Sequence, residues 1–317
     1  GMGYLNISFC DILPVLWDRL TGAGERLVEA QDLSSVVLLD VRLPRILTAA
    51  WVGAGLAISG AVFQGVLLNP LADPYTLGVS AGAAFGASLA IVLNITFLGE
   101  WSVPVFAFCG ATGTLVVVIY LTAGSGELSS SSLILSGIIV AAILQAGVSF
   151  IKYLADDEVG VIIFWLMGSF ASKTWAEVGL VALTITLAMG VFFFFGRDLN
   201  LLALGNRTAG SLGVSPRKIT LILLISASLV SAVCVAVSGI IGFVGLLVPH
   251  MVRFLTGPDN RRLIPVSALV GSFLLLCADT VTRAVLPQEV PIGVITALIG
   301  GPFFCYIYRK RQMQQGI

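Results

Sequence analysis

The sequence predicts an all-α protein that crosses a membrane many times, and three observations lead to this fold class. Hydrophobic residues make up 57% of the 317 residues. Charged residues make up only 11%, whereas soluble domains carry roughly 25%. The mean hydropathy is +1.02. A membrane helix needs about 20 mostly apolar residues, and the apolar runs predict nine spans, at residues 46–67, 76–97, 103–123, 132–152, 177–196, 217–237, 240–256, 264–284 and 291–308.

The chain is expected to form a single domain over residues 1–317, because no linker or change of composition interrupts it. The apolar stretch 160–171 is too short to span easily, so we expect a helix that lies at or dips into one surface. Within residues 1–45, apolar residues recur at helical spacing after Asp11, a residue type that often caps helices. This pattern predicts a short amphipathic helix on the outer surface, with a loosely packed loop as the alternative.

The loops on one side of the predicted bundle hold ten of the seventeen Lys and Arg residues. Short cytoplasmic loops carry an excess of these residues, so this side, together with the C-terminus, is predicted to be cytoplasmic. Alternation of the spans then places residues 1–45 outside. An outer N-terminal segment without a signal sequence leads us to expect that a helix preceding the first span is absent from this chain.

Residue patterns typical of enzymes are not found in the sequence. It has no Gly-x-x-x-x-Gly-Lys-Ser/Thr loop and no pair of nucleophile and base, so we expect no ATP hydrolysis by this chain alone. The net charge of zero gives no sign of a nucleic-acid partner. The cysteines are scattered without a Cys-x-x-Cys pair, so we expect no metal site and no cofactor; they are Cys10, Cys109, Cys234, Cys277 and Cys305.

Small residues recur every four positions in the first two predicted spans. Gly78, Gly82 and Gly86 share one helix face, and the preceding span repeats the spacing from Gly53 to Gly65. In lipid, small residues at this spacing let two helix backbones approach closely. The stripes therefore predict a tight bundle and say nothing by themselves about function.

The first two spans are joined by the polar hinge 69–74, with the sequence Asn-Pro-Leu-Ala-Asp-Pro. Its two prolines fix φ and remove two backbone donors, so a helix cannot continue through it. Asn and Asp in such a loop can satisfy nearby backbone groups. A stiff loop at the cytoplasmic end of the bundle is suited to a gate. The serine run 129–132 is a second candidate gate on the same side, and a plain polar connector is its alternative.

Three arginines are predicted at the outer ends of spans, where the charge rule disfavours them. Arg42 and Arg45 precede the first span, and Arg283 ends another. Such positions call for anionic partners, either lipid phosphates or the carboxylates of a docking protein. Asp279 lies one helical turn before Arg283, so a pair within one helix is the competing explanation for Arg283.

The cytoplasmic stretch 199–215 is too polar to span and too apolar for a free loop. Glycines divide it into short pieces between leucines. Two small helices that present an apolar surface to a cytosolic partner would fit this pattern. Packing of the stretch back onto the bundle is the alternative.

Seven segments in order resemble the permease subunits of bacterial ABC importers for iron–siderophore complexes, haem and vitamin B12, the iron-chelate uptake permease family. The resemblance covers nearly the whole chain. The matching segments are 42–45 (RLPR), 59–64, 69–74 (NPLADP), 202–205 (LALG), 242–253 (GFVGLLVPHMVR), 291–293 (PIG) and 300–304 (GGPFF).

The resemblance implies a type II ABC importer permease fold of ten helices, here with the first helix missing. It implies a homodimer with a pore at the dimer interface, two cytosolic ATPase subunits and an extracytoplasmic substrate-binding protein. Positions matching Arg42, Arg45 and Arg283 meet acidic residues of the binding protein. The resemblance implies a cytoplasmic gate formed by Asn69, Leu71, Ser129, Ser130, Ser131 and Ser132. It implies that the residues coupled to the ATPase are Leu202, Leu204, Gly205, Asn206, Arg207, Gly210, Leu212 and Gly213.

Two further departures from the family pattern are Leu68, where Arg is frequent, and Asn260, where His is frequent. Neither touches an expected gate. The functional hypothesis is ATP-driven import of an iron chelate, siderophore or haem, across a bacterial cytoplasmic membrane. Cobalamin and molybdate are alternative substrates. An ion-coupled secondary transporter is a further alternative, but it would need buried ionisable residues, and only Asp279 qualifies.

Overall fold

A computed structural model describes residues 33–123, 129–284 and 289–315, and in these ranges the chain is helical with no strand. The amphipathic helix expected near Asp11 lies outside the described residues. Helix α1 comprises Leu33–Val36, the π-helical stretch Val37–Arg42 and Leu43–Val66. The others are α2 (Val79–Val92), α3 (Ser102–Ala123), α4 (Ser130–Leu154), α5 (Val159–Leu166), α6 (Trp175–Phe194), α7 (Gly196–Leu202), α8 (Asn206–Ser211), α9 (Pro216–Ser238), α10 (Val244–Thr256), α11 (Asn260–Ala284) and α12 (Ile292–Gln315).

Helix α1 is the centre of the bundle, and it packs against α6, α9, α10 and α11. Its apolar window is 78% buried, against 22% for α4, which therefore lies at the periphery. The predicted start of the first span at residue 46 is wrong, because the helix continues N-terminally through Arg42 to Leu33. Residues 33–45 are thus part of the first long helix and not a separate segment. Trp175 Nε1 donates to the carbonyl of Leu39 at 3.1 Å, so it binds the π-helical stretch, where the regular α-helical pattern is interrupted.

The small-residue stripes form close backbone contacts, as predicted: Gly53 of α1 lies against the backbone of Gly271 in α11. Gly60 of α1, which lies outside the predicted stripe, makes a further close contact with the backbone of Gly245 in α10. Gly82 of α2 faces the backbone of Gly110 in α3 in the same way. A side chain at any of these glycines would collide with main chain. The bundle is therefore held together by backbone approach as well as by apolar side chains.

Within the described residues, six helices are long and apolar enough to cross a membrane, and three apolar helices are shorter. The full spans predicted at 76–97 and 240–256 are wrong, since their helices cover only Val79–Val92 and Val244–Thr256. Each helix is preceded by a residue with left-handed backbone, Gly78 (φ 78°) before α2 and Phe243 (φ 68°) before α10. Helical backbone cannot continue N-terminally through these residues. The third short helix is the apolar part of α12, Ile292–Cys305.

The remaining predicted spans coincide with α3, α4, α6, α9, α11 and α12 within a few residues. The short stretch expected at 160–171 forms only the eight-residue helix α5. It ends at Leu166, and Gly168, two positions later, has a left-handed φ of 74°. The interpretation that this stretch is too short to span is therefore confirmed.

Candidate functional site

The hinge between α1 and α2 is stiffened by its own polar side chains. Asn69 Oδ1 accepts a hydrogen bond from the backbone N–H of Leu71 at 3.0 Å, and Ala72 N–H donates to the Asn69 carbonyl. Asp73 Oδ1 accepts from Tyr75 N–H at 2.8 Å. Each acceptor thus satisfies a nearby backbone donor, as expected for Asn and Asp in a loop. The side chain of Leu71 projects outward and is 52% exposed.

The hinge also packs against the break between α9 and α10. Tyr75 Oη donates to the carbonyl of Ile241 at 3.0 Å, and the ring of Pro74 contacts Gly245. Gln64, one turn before the end of α1, donates to the carbonyl of Leu246 at 3.2 Å. Two interrupted helices therefore meet, and side chains of α1 and the segment after the hinge donate hydrogen bonds to backbone carbonyls at the break between α9 and α10. This contact could not be predicted from local sequence patterns, because the two segments lie 166 to 182 positions apart along the chain.

The serine run forms the start of α4. Ser129 is its N-cap: the Oγ accepts from Ser132 N–H at 3.1 Å and donates to Ser132 Oγ at 2.8 Å. Two of the four serines thus have a structural role as a helix cap. Two turns further along α4, Gly137 lies against the backbone of Thr76 and Leu77 at the end of the hinge. Helix α4, which begins in the second candidate gate, therefore packs against the segment that follows the first.

Two of the three predicted arginines lie in one ionic cluster. Asp279 of α11 binds Arg45 Nε through Oδ1 at 2.9 Å and Arg283 Nε through Oδ2 at 3.0 Å. Arg45 Nη1 also binds the Glu289 carboxylate at 2.9 Å. The pair of Asp279 and Arg283 was expected from their spacing, whereas the contacts of Arg45 with Asp279 and Glu289 were not. Arg42 precedes this cluster in the π-helical stretch of α1.

The stretch 199–215 forms two short helices, α7 and α8, separated by Gly205, whose φ of 97° ends the first. Leu204 and Leu212 are 62% and 56% exposed, so they can present an apolar surface to a partner. Leu202 is only 3% exposed and packs in the core, so it cannot contribute to that surface. Asn206, Arg207, Gly210 and Gly213 are exposed.

Asn200 ties α7 to the loop between α10 and α11. Its Nδ2 donates to Asp259 Oδ1 at 2.7 Å. Its Oδ1 accepts from the backbone N–H of Asn260 at 2.9 Å and from Asn260 Nδ2 at 2.8 Å. We call these three residues the Asn200 clamp. Sequence reasoning noted Asn260 as a departure from the family pattern but missed the clamp, because its members lie about sixty positions apart.

The clamp also affects the ionisation of Asp259. The hydrogen bond from Asn200, followed by one from Arg261 N–H, lowers the pKa of Asp259 below its ordinary value of 3.8. The carboxylate form is thus favoured in the folded protein. Its contribution to stability is fully present above pH 3.8 and is lost as the pH falls through the lowered pKa.

Replacement of Asn200 by alanine is expected to loosen α7 without unfolding the bundle. Each lost hydrogen bond contributes about 1 kcal/mol, so amide exchange by local opening should become about fivefold faster or more. Hydrogen–deuterium exchange of peptides covering 196–202 and 257–262, measured in lipid nanodiscs, would report this change. Asn206→Ala, the same replacement at an exposed position in α8, is the control. Equal exchange in the two variants would contradict a tie through Asn200.

His250 is buried in α10, where its ring lies 5.2 Å from that of Phe254 and 6.0 Å from that of Phe304. These contacts fit a packed residue.

The described residues contain no cluster of His, Cys, Asp or Glu that could hold a metal ion. Four cysteines within the described ranges are free.

The fold and these sites define a class, a multi-pass helical membrane protein with a stiff hinge at one end of its central helix and an ionic cluster at the other. The model of the FecCD transport family matches residues 2–310, and the chain belongs to this family. It is therefore an ABC importer permease of the metal-chelate group.

Two relatives show how close the similarity is. The chain is 42% identical over 284 residues to the cobalamin import system permease protein BtuC of Halobacterium salinarum, covering 89% of this chain and 76% of that protein. It is 39% identical over 324 aligned positions to the hemin transport system permease protein HmuU of Yersinia pestis, covering 100% and 92%. A solved structure described as an inward-facing conformation of a metal-chelate type ABC transporter superposes with a TM-score of 0.81 at 38% identity, covering 89% of this chain and 90% of that one.

Proposed function

We propose that this chain forms the membrane channel of an ATP-driven importer for an iron chelate and works by alternating access. The observation that carries the proposal is the arrangement along α1. Its segment Leu43–Val66 has 24 residues, about 36 Å at 1.5 Å per residue. Arg45 and its ionic cluster lie at one end, and the hinge with Asn69 and Leu71 follows the other. One rigid element thus connects a surface suited to an extracytoplasmic partner with a candidate cytoplasmic gate.

A second copy of the chain would complete the channel. Helix α4 is only 22% buried, and its exposed face carries Gln145 near the middle of the helix and Ser149 one turn later. Polar side chains at membrane depth usually face a partner or a water-filled cavity, because lipid offers them no hydrogen bonds. Ser149 Oγ already donates to the Gln145 carbonyl at 3.0 Å, whereas a homodimer in which α4 lines a shared pore would give the Gln145 side chain a polar surrounding. The family resemblance implies the same position for the pore.

Two cytosolic ATPase subunits would drive the motion. Leu204 and Leu212 give α7 and α8 an exposed apolar surface, which is suited to insertion into a cleft of such a subunit. The Asn200 clamp and the core packing of Leu202 would transmit a push on this surface to α10 and α11. Helix α10 contacts the hinge through Gly245, so the movement would reach Asn69 and Leu71. The C-terminus lies on the cytoplasmic side of the inner membrane in this proposal.

A ferric siderophore or haem is the proposed substrate, in line with the hemin permease and the metal-chelate transporter among the relatives. Cobalamin is the first alternative, and molybdate is a second. Ion-coupled transport has less support, because Asp279, the one buried acid that suggested it, is held by Arg45 and Arg283. A carboxylate paired in this way is poorly suited to bind and release a coupling ion.

Uptake into proteoliposomes tests the proposal. The permease would be reconstituted with its ATPase subunits and a purified substrate-binding protein, and offered radiolabelled ferric siderophore, haemin or cobalamin in parallel. We expect an iron chelate to accumulate in the liposome lumen, which corresponds to the cytoplasmic side. This uptake should require ATP in the lumen and should persist when ionophores remove ion gradients. Liposomes with the permease alone are the control. Uptake that follows an ion gradient without the ATPase subunits would overturn the proposal.

A further inference from the structure

The ionic cluster contains two carboxylates that differ sharply in burial. Asp279 is 1% exposed and binds both Arg45 and Arg283, whereas the Glu289 side chain is 41% exposed and binds Arg45 alone. Removing Asp279 from the cluster would take away the carboxylate that binds the partly buried Arg283 and would leave Arg45 with the exposed Glu289 alone. Removing Glu289 would leave both arginines still bound to Asp279. Asp279 is thus a fixed anchor, and Glu289 is the member that can leave at low cost.

The net charge of the cluster depends on whether Glu289 is bound to Arg45. Two arginines and two carboxylates sum to zero, so the closed cluster offers little attraction to an acidic partner. Without the Glu289 contact, Arg45, Arg283 and Asp279 together carry one positive charge. The Nη1 edge of Arg45, which now donates to Glu289 at 2.9 and 3.2 Å, would then be open to another carboxylate.

The start of helix α12 is held independently of the contact between Glu289 and Arg45. Helix α12 begins at Ile292, three positions after Glu289. Its first residues are fixed from the other side, because Ile292 N–H donates to the Gly168 carbonyl at 3.1 Å and Gly293 N–H donates to the Met167 carbonyl at 3.0 Å. These two bonds hold the start of α12 in place while Glu289 moves away from Arg45.

We propose that Glu289 is an internal competitor that occupies the docking edge of Arg45 until an acidic segment of an extracytoplasmic partner protein displaces it. The inference rests on the docking role of Arg45 proposed above. The incoming carboxylate takes the place of Glu289 on Nη1, and Asp279 keeps both arginines in position throughout. The contact of Arg45 with Glu289 therefore sets how strongly acidic proteins bind this face.

The test compares four forms of the full chain in lipid nanodiscs: wild type, Glu289→Gln, Glu100→Gln and Arg45→Gln. Glu100 is exposed in the loop between α2 and α3, and this loop is predicted to lie on the same side of the membrane as Arg45. Glu100→Gln therefore removes one negative charge from that side without changing the ionic cluster. The probe is a fluorescein-labelled hexaglutamate peptide, and its affinity is measured by fluorescence anisotropy at low ionic strength. The thermal unfolding midpoint of each variant confirms that it is folded.

We expect Glu289→Gln to bind the peptide about three- to fivefold more tightly than Glu100→Gln, the size of one exposed ion pair. Arg45→Gln should bind more weakly than wild type. If Glu289→Gln binds no more tightly than Glu100→Gln while Arg45→Gln is weakened, the competitor role is overturned and the docking role stands. If Arg45→Gln binds as well as wild type, the docking role itself is overturned.

Discussion

Replacement of Gly60 by valine is expected to prevent formation of the native bundle. A Cβ atom at this position of α1 would overlap the carbonyl carbon and oxygen of Gly245, at the start of α10. These are backbone atoms of a short helix that also contacts Pro74 and Gln64, so they cannot move aside like the end of a flexible side chain. Overpacking in a well-filled core costs about 1–3 kcal/mol and more where the backbone must shift.

The measurement is the yield of monodisperse protein after size-exclusion chromatography, together with the thermal unfolding midpoint in detergent. We expect Gly60→Val to give little folded protein. The matched control is Gly190→Val in α6, where a Cβ would meet nothing within 4 Å. That variant should fold like the wild type. A Gly60→Val protein with an unchanged yield and midpoint would contradict the close contact of α1 with α10.

The close packing of α1 could be predicted from sequence because the spacing of small residues depends only on helix geometry. The partner of each glycine could not be predicted in this way. Gly53 meets Gly271 across a separation of 218 positions, and which helices become neighbours depends on the whole bundle. Gly60, which meets Gly245, lies outside the predicted stripe altogether. The stripes thus indicated that the helices pack tightly, and the fold determines which helices do so.

Hydropathy located the six long and three shorter apolar helices found within the described residues, but not the two interruptions. It averages over many residues, and the apolar character continues through Gly78 and Phe243, where the helices are broken. A bulky residue in left-handed backbone, such as Phe243, has no local sequence signal, because its conformation is held by surrounding contacts. The ring of Phe243 lies against Gly300 of α12, which leaves room for it. For the part of the chain that the structure describes, the sequence therefore predicted the nine apolar segments and overestimated the length of two.

The same distinction between local and distant contacts applies to the candidate site. The pair of Asp279 and Arg283 follows from their spacing within one helix. The contacts of Arg45 with Asp279 and Glu289 join positions 234 and 244 apart, and the Asn200 clamp joins positions about 60 apart. The side chains involved were visible in the sequence, but only the packing of α1 on α11 and of α7 on the α10–α11 loop brings them together.

Reversal of the charge at Arg45 is expected to destabilise the whole protein, beyond any effect on a docking partner. Arg45→Glu would place a third carboxylate beside Asp279, which is 1% exposed, and Glu289. Breaking one side of a buried ion pair costs about 3–5 kcal/mol, because the remaining charge is left without its partner. Arg207→Glu, the same change at an exposed position in α8, is the control and should have little effect on unfolding.

The thermal unfolding midpoint in detergent distinguishes the buried ion pair from a general effect of charge. Arg45→Glu should lower the midpoint strongly, and addition of Asp279→Asn should restore part of the loss, because it removes one of the repelling carboxylates. The double variant should therefore be more stable than Arg45→Glu alone. If Asp279→Asn lowers the midpoint further in that background, Asp279 stabilises the bundle through contacts other than Arg45. The anchor of the cluster would then be Arg283 with Asp279 within α11, and Arg45 would be held mainly by Glu289.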